Sequence, residues 1–193
     1  GWYAVLKVPD SFGEEEWGGL ARAKEYFARI GKRPWEKEVF TRLAKVFYDQ
    51  DNVESAVDTW RMVLEYDPYD PGAPEFQDKI VKARERQRNF ALAAEEREKM
   101  ASTYGKGSRW AEHNKGNAGA QLKAEELVEQ SLYSAAIFRH QQAQQYKGQN
   151  QLDLAQREYA AAAKSYGQYL ERFPESKFAY QLRFYYADAL YYS

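Results

Sequence analysis

His113 and His140 are the chain's 2 histidines, and it has no cysteine. A metal site would need Asp or Glu partners brought in by folding, because the spacing supplies no convergent ligand set. No metal and no cofactor are therefore expected. His140, within Arg139-His140-Gln141-Gln142, reads as a surface or groove residue. Carboxylates cluster at Glu14-Glu15-Glu16, Glu95-Glu96 and Glu125-Glu126. Acid–base hydrolysis needs two carboxyls facing across a pocket with separated pKa values. Adjacent helical residues point about 100° apart, so these pairs do not converge. They read as solvated faces, with Glu14-Glu15-Glu16 as favourable charge near a helix start. Gly105-Lys106-Gly107-Ser108 lacks the strand and the full spacing of a phosphate loop. It reads as a turn with Ser108 as N-cap, although a helix N-terminus there could bind an anion. Lys79, Lys82, Arg84, Arg86 and Arg88 form the densest positive stretch. Interleaved Asp78 and Glu85 make it an exposed, ion-paired helix face rather than a nucleic-acid surface. No catalytic residue emerges, and the chain is expected to be non-enzymatic.

Composition narrows the classes further. The 193 residues carry 28 Lys+Arg against 29 Asp+Glu, a net charge of -1. That balance argues against nucleic acid and against a polybasic membrane surface. No run approaches the ~18 apolar residues of a membrane-spanning helix, so no membrane insertion is expected. Hydrophobic residues make up 44% and aromatic ones 16%, enough to build a core. The absence of cysteine excludes disulfides and a thiol nucleophile without fixing a compartment. Gly1 in place of Met reads as a trimmed start.

The elements that must carry any site are helical. Ala, Leu, Glu, Lys, Gln and Arg dominate between prolines that sit beside turn-forming residues, and no sustained apolar–polar alternation predicts a strand. The clearest unit spans 37–70. Its first helix carries Phe40, Leu43, Ala44 and Phe47. After a turn at Gln50-Asp51-Asn52, the second carries Ala56, Trp60, Val63 and Leu64, and Tyr66-Asp67-Pro68 closes it. Ala44 and Ala56 allow two helix axes to approach closely.

This unit resembles the tetratricopeptide repeat (TPR): a small residue in each helix, aromatics at fixed offsets and a closing proline. The resemblance implies an all-α, right-handed α-α superhelix, a TPR-like solenoid of helix–turn–helix units of about 34 residues. Over residues 1–193 it implies a single helical array with degenerate and lengthened repeats. Trp17 to Ile30 reads as a second helix whose partner would have to lie within Trp2–Val8, so that repeat is degenerate or cut at its front. From Glu75 to Tyr104 one long helix is favoured over two with a turn near Arg88-Asn89. Another, starting near Ser108 or Asn117, runs to Lys147 with Leu122, Val128, Leu132, Ala135, Ala136, Ala143 and Tyr146 on its apolar side. Gln151–Arg172 carries Leu152, Ala155, Tyr159, Ala162, Tyr166 and Tyr169. A last helix, Lys177–Tyr192, is capped by Ser176 and turns Leu182, Tyr186, Ala187 and Leu190 to the stack. It is left unpartnered, so the chain is expected to be part of a longer protein.

In TPR proteins the first helices of successive repeats line a concave groove. The matching positions here are Glu38, Thr41, Lys45, Tyr48 and Asp49, and on the last helix Gln181, Phe184, Asp188 and Tyr191. Thr41 and Lys45 do not reproduce the Lys/Asn clamp that some members use for a C-terminal carboxylate. The mixed aromatic and charged groove points to a helix or extended segment of a protein or peptide partner. Of Tyr180, Phe184, Tyr185, Tyr186, Tyr191 and Tyr192, half should be core and the rest contact surface. Tyr166…Tyr169-Leu170…Phe173-Pro174-Glu175-Ser176 resembles repeat boundaries of bacterial envelope TPR proteins. The expectation is a scaffold in a multi-protein assembly, in envelope assembly or gliding motility, periplasmic ahead of cytoplasmic. A regulatory or peptide-binding module of a larger enzyme is the alternative, and a hydrolase or transferase within the chain comes last.

Overall fold

The computed structural model describes residues 19–31 and 33–193. Among them every regular element is an α-helix and no strand occurs. The readings made on Trp2–Val8, Glu14-Glu15-Glu16 and Trp17 lie outside the described residues. The chain divides into two compact units, one ending at Arg88 and one running from Asn89 to Ser193.

The first unit contains α1 (Gly19–Ile30), α2 (Glu36–Asp49), α3 (Val53–Tyr66) and α4 (Ala73–Arg86). Ala44 and Ala56 are fully buried where α2 and α3 pair, and Phe40, Leu43, Val57, Trp60 and Val63 fill the core around them. From α1, Phe27 packs 5.3 Å from Phe40 and 5.2 Å from Trp35, centroid to centroid. The hairpin is tied end to end: Lys37 ion-pairs with Asp70, and the Tyr66 hydroxyl donates to the Arg33 carbonyl at 3.3 Å.

The turn between α2 and α3 is Gln50-Asp51-Asn52. Asp51 is left-handed (φ 63°) and the Asn52 Oδ1 accepts from the Ser55 amide. The same turn recurs at Gln87-Arg88-Asn89, with Arg88 at φ 57° and Asn89 Oδ1 accepting from the Leu92 amide at 3.2 Å. This corrects the expected single helix over 75–104: α4 stops at Arg86, and α5 (Phe90–Tyr104) starts afresh. The left-handed residue ends one helix, and the Asn carboxamide satisfies an amide that the new helix leaves orphaned. Replacing Asn89 by Ala is expected to cost about 1 kcal/mol, read from urea unfolding followed by far-UV circular dichroism.

The recurrence extends beyond the turn. Helices α2 and α4 begin at Glu36 and Ala73, and α3 and α5 at Val53 and Phe90, a step of 37 residues in both cases. Burial keeps the same step. Leu43 and Ile80, Phe47 and Arg84, Ala56 and Ala93, Thr59 and Glu96, Val63 and Met100 are all buried. The helix starts, the turn and the buried positions thus repeat at 37 residues, longer than the ~34-residue step of the resemblance.

The second unit contains α5, α6 (Arg109–His113), α7 (Ala118–Gly148), α8 (Leu152–Arg172) and α9 (Ala179–Tyr192). Helix α7 packs against α5 and α8, and α9 packs on α8. Ser108 caps α6, its Oγ accepting from the Ala111 amide, and Trp110 of α6 stands edge-on to Tyr104 at 5.7 Å. Leu132, Ala135, Ala136 and Ala143 of α7 and Ala155, Tyr159, Ala162, Tyr166 and Tyr169 of α8 are all buried. Leu122 and Leu152, predicted on the apolar faces, are 65% and 61% exposed. Each lies in the opening turns of its helix, where no neighbour covers it. On α9 the inward face is Leu182 and Ala189 with Tyr185 and Tyr186 half-buried. Ala187 and Leu190, expected inward, are exposed.

Candidate partner-binding surfaces

In the first unit, Thr41, Lys45, Tyr48 and Asp49 line an open hollow of about 370 Å³, joined by Arg42, Trp60, Lys79 and Lys82. Helices α2 and α4 form its sides, and Trp60 of α3 reaches it from beneath. The spacing of three and four along α2 puts these residues on one face. Glu38 stands one turn earlier and pairs with Arg42. The Tyr48 and Trp60 rings lie 5.5 Å apart, and the Arg86 guanidinium stacks 4.7 Å above Tyr48 while bonding its carbonyl. Lys45 pairs with Asp49, and Lys82 with Asp78 at 2.6 Å. Lys82 is held above the ordinary lysine pKa by the Asp78 hydrogen bond first and the Asp78 charge second.

The basic stretch on α4, expected to be an exposed face, is exposed only in part. Arg84 is 5% exposed and pairs with Glu54 of α3, which Gln87 also donates to at 2.9 Å. Those two hydrogen bonds, Arg84's the larger, hold Glu54 below the usual carboxylate range. Glu96 is likewise buried rather than part of a solvated acidic face.

The α9 positions separate into two kinds. Tyr180, Phe184 and Tyr191 are 86%, 73% and 80% exposed, and Ala187 completes their stripe at helical spacing. Gln181 lies beside them, its amide donating to the Tyr185 hydroxyl at 2.8 Å. Asp188 departs from the expected groove role. Its Oδ2 is 3.1 Å from the Nε2 of His140.

His140 is the larger correction. It is 5% exposed, with the rings of Tyr159, Tyr166 and Tyr185 edge-on within 5.5–5.9 Å. A neutral imidazole serves both neighbours: Nε2–H donates to Asp188, and Nδ1 accepts the Tyr166 hydroxyl at 3.3 Å. Burial lowers its pKa below 6.5, outweighing the opposing pull of Asp188. Burial also pushes the Tyr166 hydroxyl well above its ordinary range. Arg139, next to it, bridges Glu98 of α5 and Glu158 of α8 at 3.0 and 3.2 Å.

A pH dependence follows. The unfolded chain takes up the His140 proton near 6.5, and the folded unit takes it up lower. Stability is therefore full above that value and declines as pH falls through it. His140→Gln keeps a donor and an acceptor without titrating. The difference in unfolding midpoint between wild type and this variant should change between pH 7 and 5, and a constant difference would refute the assignment.

Tyr169 donates to Glu129 of α7 at 2.7 Å and meets Ser176 at 2.6 Å, and Ser176 donates to the same carboxylate at 3.0 Å. This triangle fixes the Phe173–Ser176 boundary ahead of α9, where Ser176 lies before the helix start rather than at its cap. Burial first raises Tyr169 to about 12. A second hollow, also about 370 Å³, is lined by Lys106, Arg172, Glu125 and Glu171 among others. Burial lowers the Arg172 pKa, and Glu125 approaches only to 3.9 Å.

Among the described residues no group of three or more His, Cys, Asp or Glu side chains could hold a metal, and no helix is long and apolar enough to cross a membrane. Comparison with protein-family models and with curated proteins finds no match.

Proposed function

We propose that this chain is a non-enzymatic, TPR-like scaffold that holds a protein or peptide partner within a larger assembly. The observation that carries the reading is the hollow on α2 and α4. Thr41, Lys45, Tyr48 and Asp49 line it together over an aromatic floor. An apolar floor with a charged rim is the anatomy of a recognition patch. The stripe of Tyr180, Phe184 and Tyr191 on α9 supports the reading independently, since large apolar side chains in a continuous exposed line favour contact with another polypeptide. The resemblance of the Tyr166–Ser176 boundary to bacterial envelope proteins supports an extracytoplasmic setting, in envelope assembly or gliding motility.

Photo-crosslinking residues placed at Tyr48 and at Phe184 in the cell of origin test this, with Leu152 as an exposed apolar control. The expected outcome is a discrete crosslinked protein from Tyr48 or Phe184 and none from Leu152. With that protein purified, Lys45→Glu or Tyr191→Ala should weaken binding about tenfold or more while helicity is unchanged. Equal crosslinking from Leu152, or binding indifferent to both substitutions, would overturn the proposal.

A further inference from the structure

The scaffold reading leaves the partner's chemistry open, and the hollow on α2 and α4 narrows it. Its lining carries Arg42, Lys45, Lys79 and Lys82 with the acid Asp49, and Glu38 and Asp78 adjoin it. Three of these cations now face acids on their own helices: Arg42 with Glu38, Lys45 with Asp49 and Lys82 with Asp78. The first two pairs are more than half exposed on both sides. Such pairs contribute little and exchange readily for better-placed carboxylates. The Lys79 ammonium stands 4.7 Å over the Phe76 ring, a contact that leaves its donors available. Beneath the rim the floor is aromatic, formed by Tyr48 and by Trp60, which is 4% exposed.

We infer that this hollow takes an acidic segment of another polypeptide, anchored by one aromatic or aliphatic side chain on the Tyr48–Trp60 floor. The inference rests on the scaffold reading and adds the occupant's charge and anchor. Positive charge on both α2 and α4 attracts carboxylates from either side, and repels a basic segment before the anchor can seat. A phosphate backbone would meet the same cations, but it offers the apolar floor nothing.

The test uses the full chain and short fluorescent peptides. One has a central Phe flanked by Glu and Asp; in a second Gly replaces the Phe; in a third Lys replaces every acid. A thymidine oligonucleotide is the fourth probe. Fluorescence anisotropy should show saturable binding of the Phe-centred acidic peptide, weakened by salt. The Gly peptide should bind about tenfold more weakly, and the Lys peptide not at all. Lys79→Glu combined with Lys82→Glu, on the exposed side of α4, should reduce binding about tenfold or more. Thr41→Trp, which fills the hollow, should do the same should the charge variant lose helicity. Equal binding of the Phe and Gly peptides, tighter binding of the oligonucleotide, or indifference to both variants would overturn the inference. If the protein crosslinked at Tyr48 still depends on Lys45 while no acidic peptide binds, the partner chemistry is wrong and the scaffold reading stands. If neither holds, both fall.

Discussion

Trp60→Ala is expected to destabilise the first unit by about 3–5 kcal/mol. The indole is 4% exposed, packs beside Tyr48, and lies among Ala44, Ala56, Val57 and Val63 at the heart of the α2–α3 hairpin. Removing it deletes a large apolar area and leaves a void that two helices already in close approach cannot collapse to fill. Trp60→Phe keeps most of the volume and should recover more than half of the loss. Urea unfolding followed by circular dichroism measures both. A loss below about 1 kcal/mol for Trp60→Ala would mean that this side chain does not hold the hairpin. The same substitution removes the floor of the hollow, so a folded Trp60→Phe protein should bind the acidic peptide better than any folded Trp60→Ala protein.

Gly105→Ala is the second large effect. Gly105 is buried at the end of α5 with ordinary negative φ, so backbone freedom is not why glycine stands there. The reason is space. A Cβ at this position would fall inside contact distance of the Ala101 carbonyl oxygen and of both terminal guanidinium nitrogens of Arg172. The arginine can swing aside, but the carbonyl belongs to the last turn of α5 and cannot. The expected cost is about 1–3 kcal/mol, read from thermal or urea unfolding. Combining it with Arg172→Ala should restore only part of the loss, because the carbonyl clash persists. Gly107→Ala gives the contrast. Nothing lies within 4 Å of its Cβ, but φ is 81°, so its cost of about 1 kcal/mol comes from backbone strain alone. Full rescue of Gly105→Ala by Arg172→Ala would show that the carbonyl is not the limiting contact.

Both substitutions probe places where residue type announces packing, and there the amino-acid pattern is informative. Ala44, Ala56 and the aromatics around them recur at helical spacing, and α2 and α3 fall where that spacing puts them. Other features hide for physical reasons. The break at Gln87-Arg88-Asn89 is made by a left-handed arginine, a residue that ordinarily favours helix, and Phe90 continues the apolar stripe although it is 50% exposed. The visible signal was the repetition of Gln-x-Asn 37 residues after Gln50-Asp51-Asn52. His140 was obscured by its polar sequence neighbours. Helix α7 packs on two sides, so it has no single apolar face, and polar residues on it can point inward when they find partners. Helix α9 is apolar almost all round, and its phase is set by contact with α8 rather than by its own pattern. On the candidate surfaces, α2 was readable because polar and apolar residues alternate cleanly around it. On α9, Phe184 and Tyr191 stand outward as expected, while Asp188 is drawn to a histidine placed by a different helix.

The three tight turns at Asp51, Arg88 and Asn150 all use left-handed residues other than glycine. A side chain at such a position narrows the wandering of the disordered chain without preventing the reversal. The turns at Asp51 and Asn150 each join packed helices only three residues apart in sequence, so the contacts they organise are local and cheap in loop entropy. In kinetic terms, the α2–α3 and α7–α8 hairpins should close early and fast, ahead of the longer-range packing within each unit.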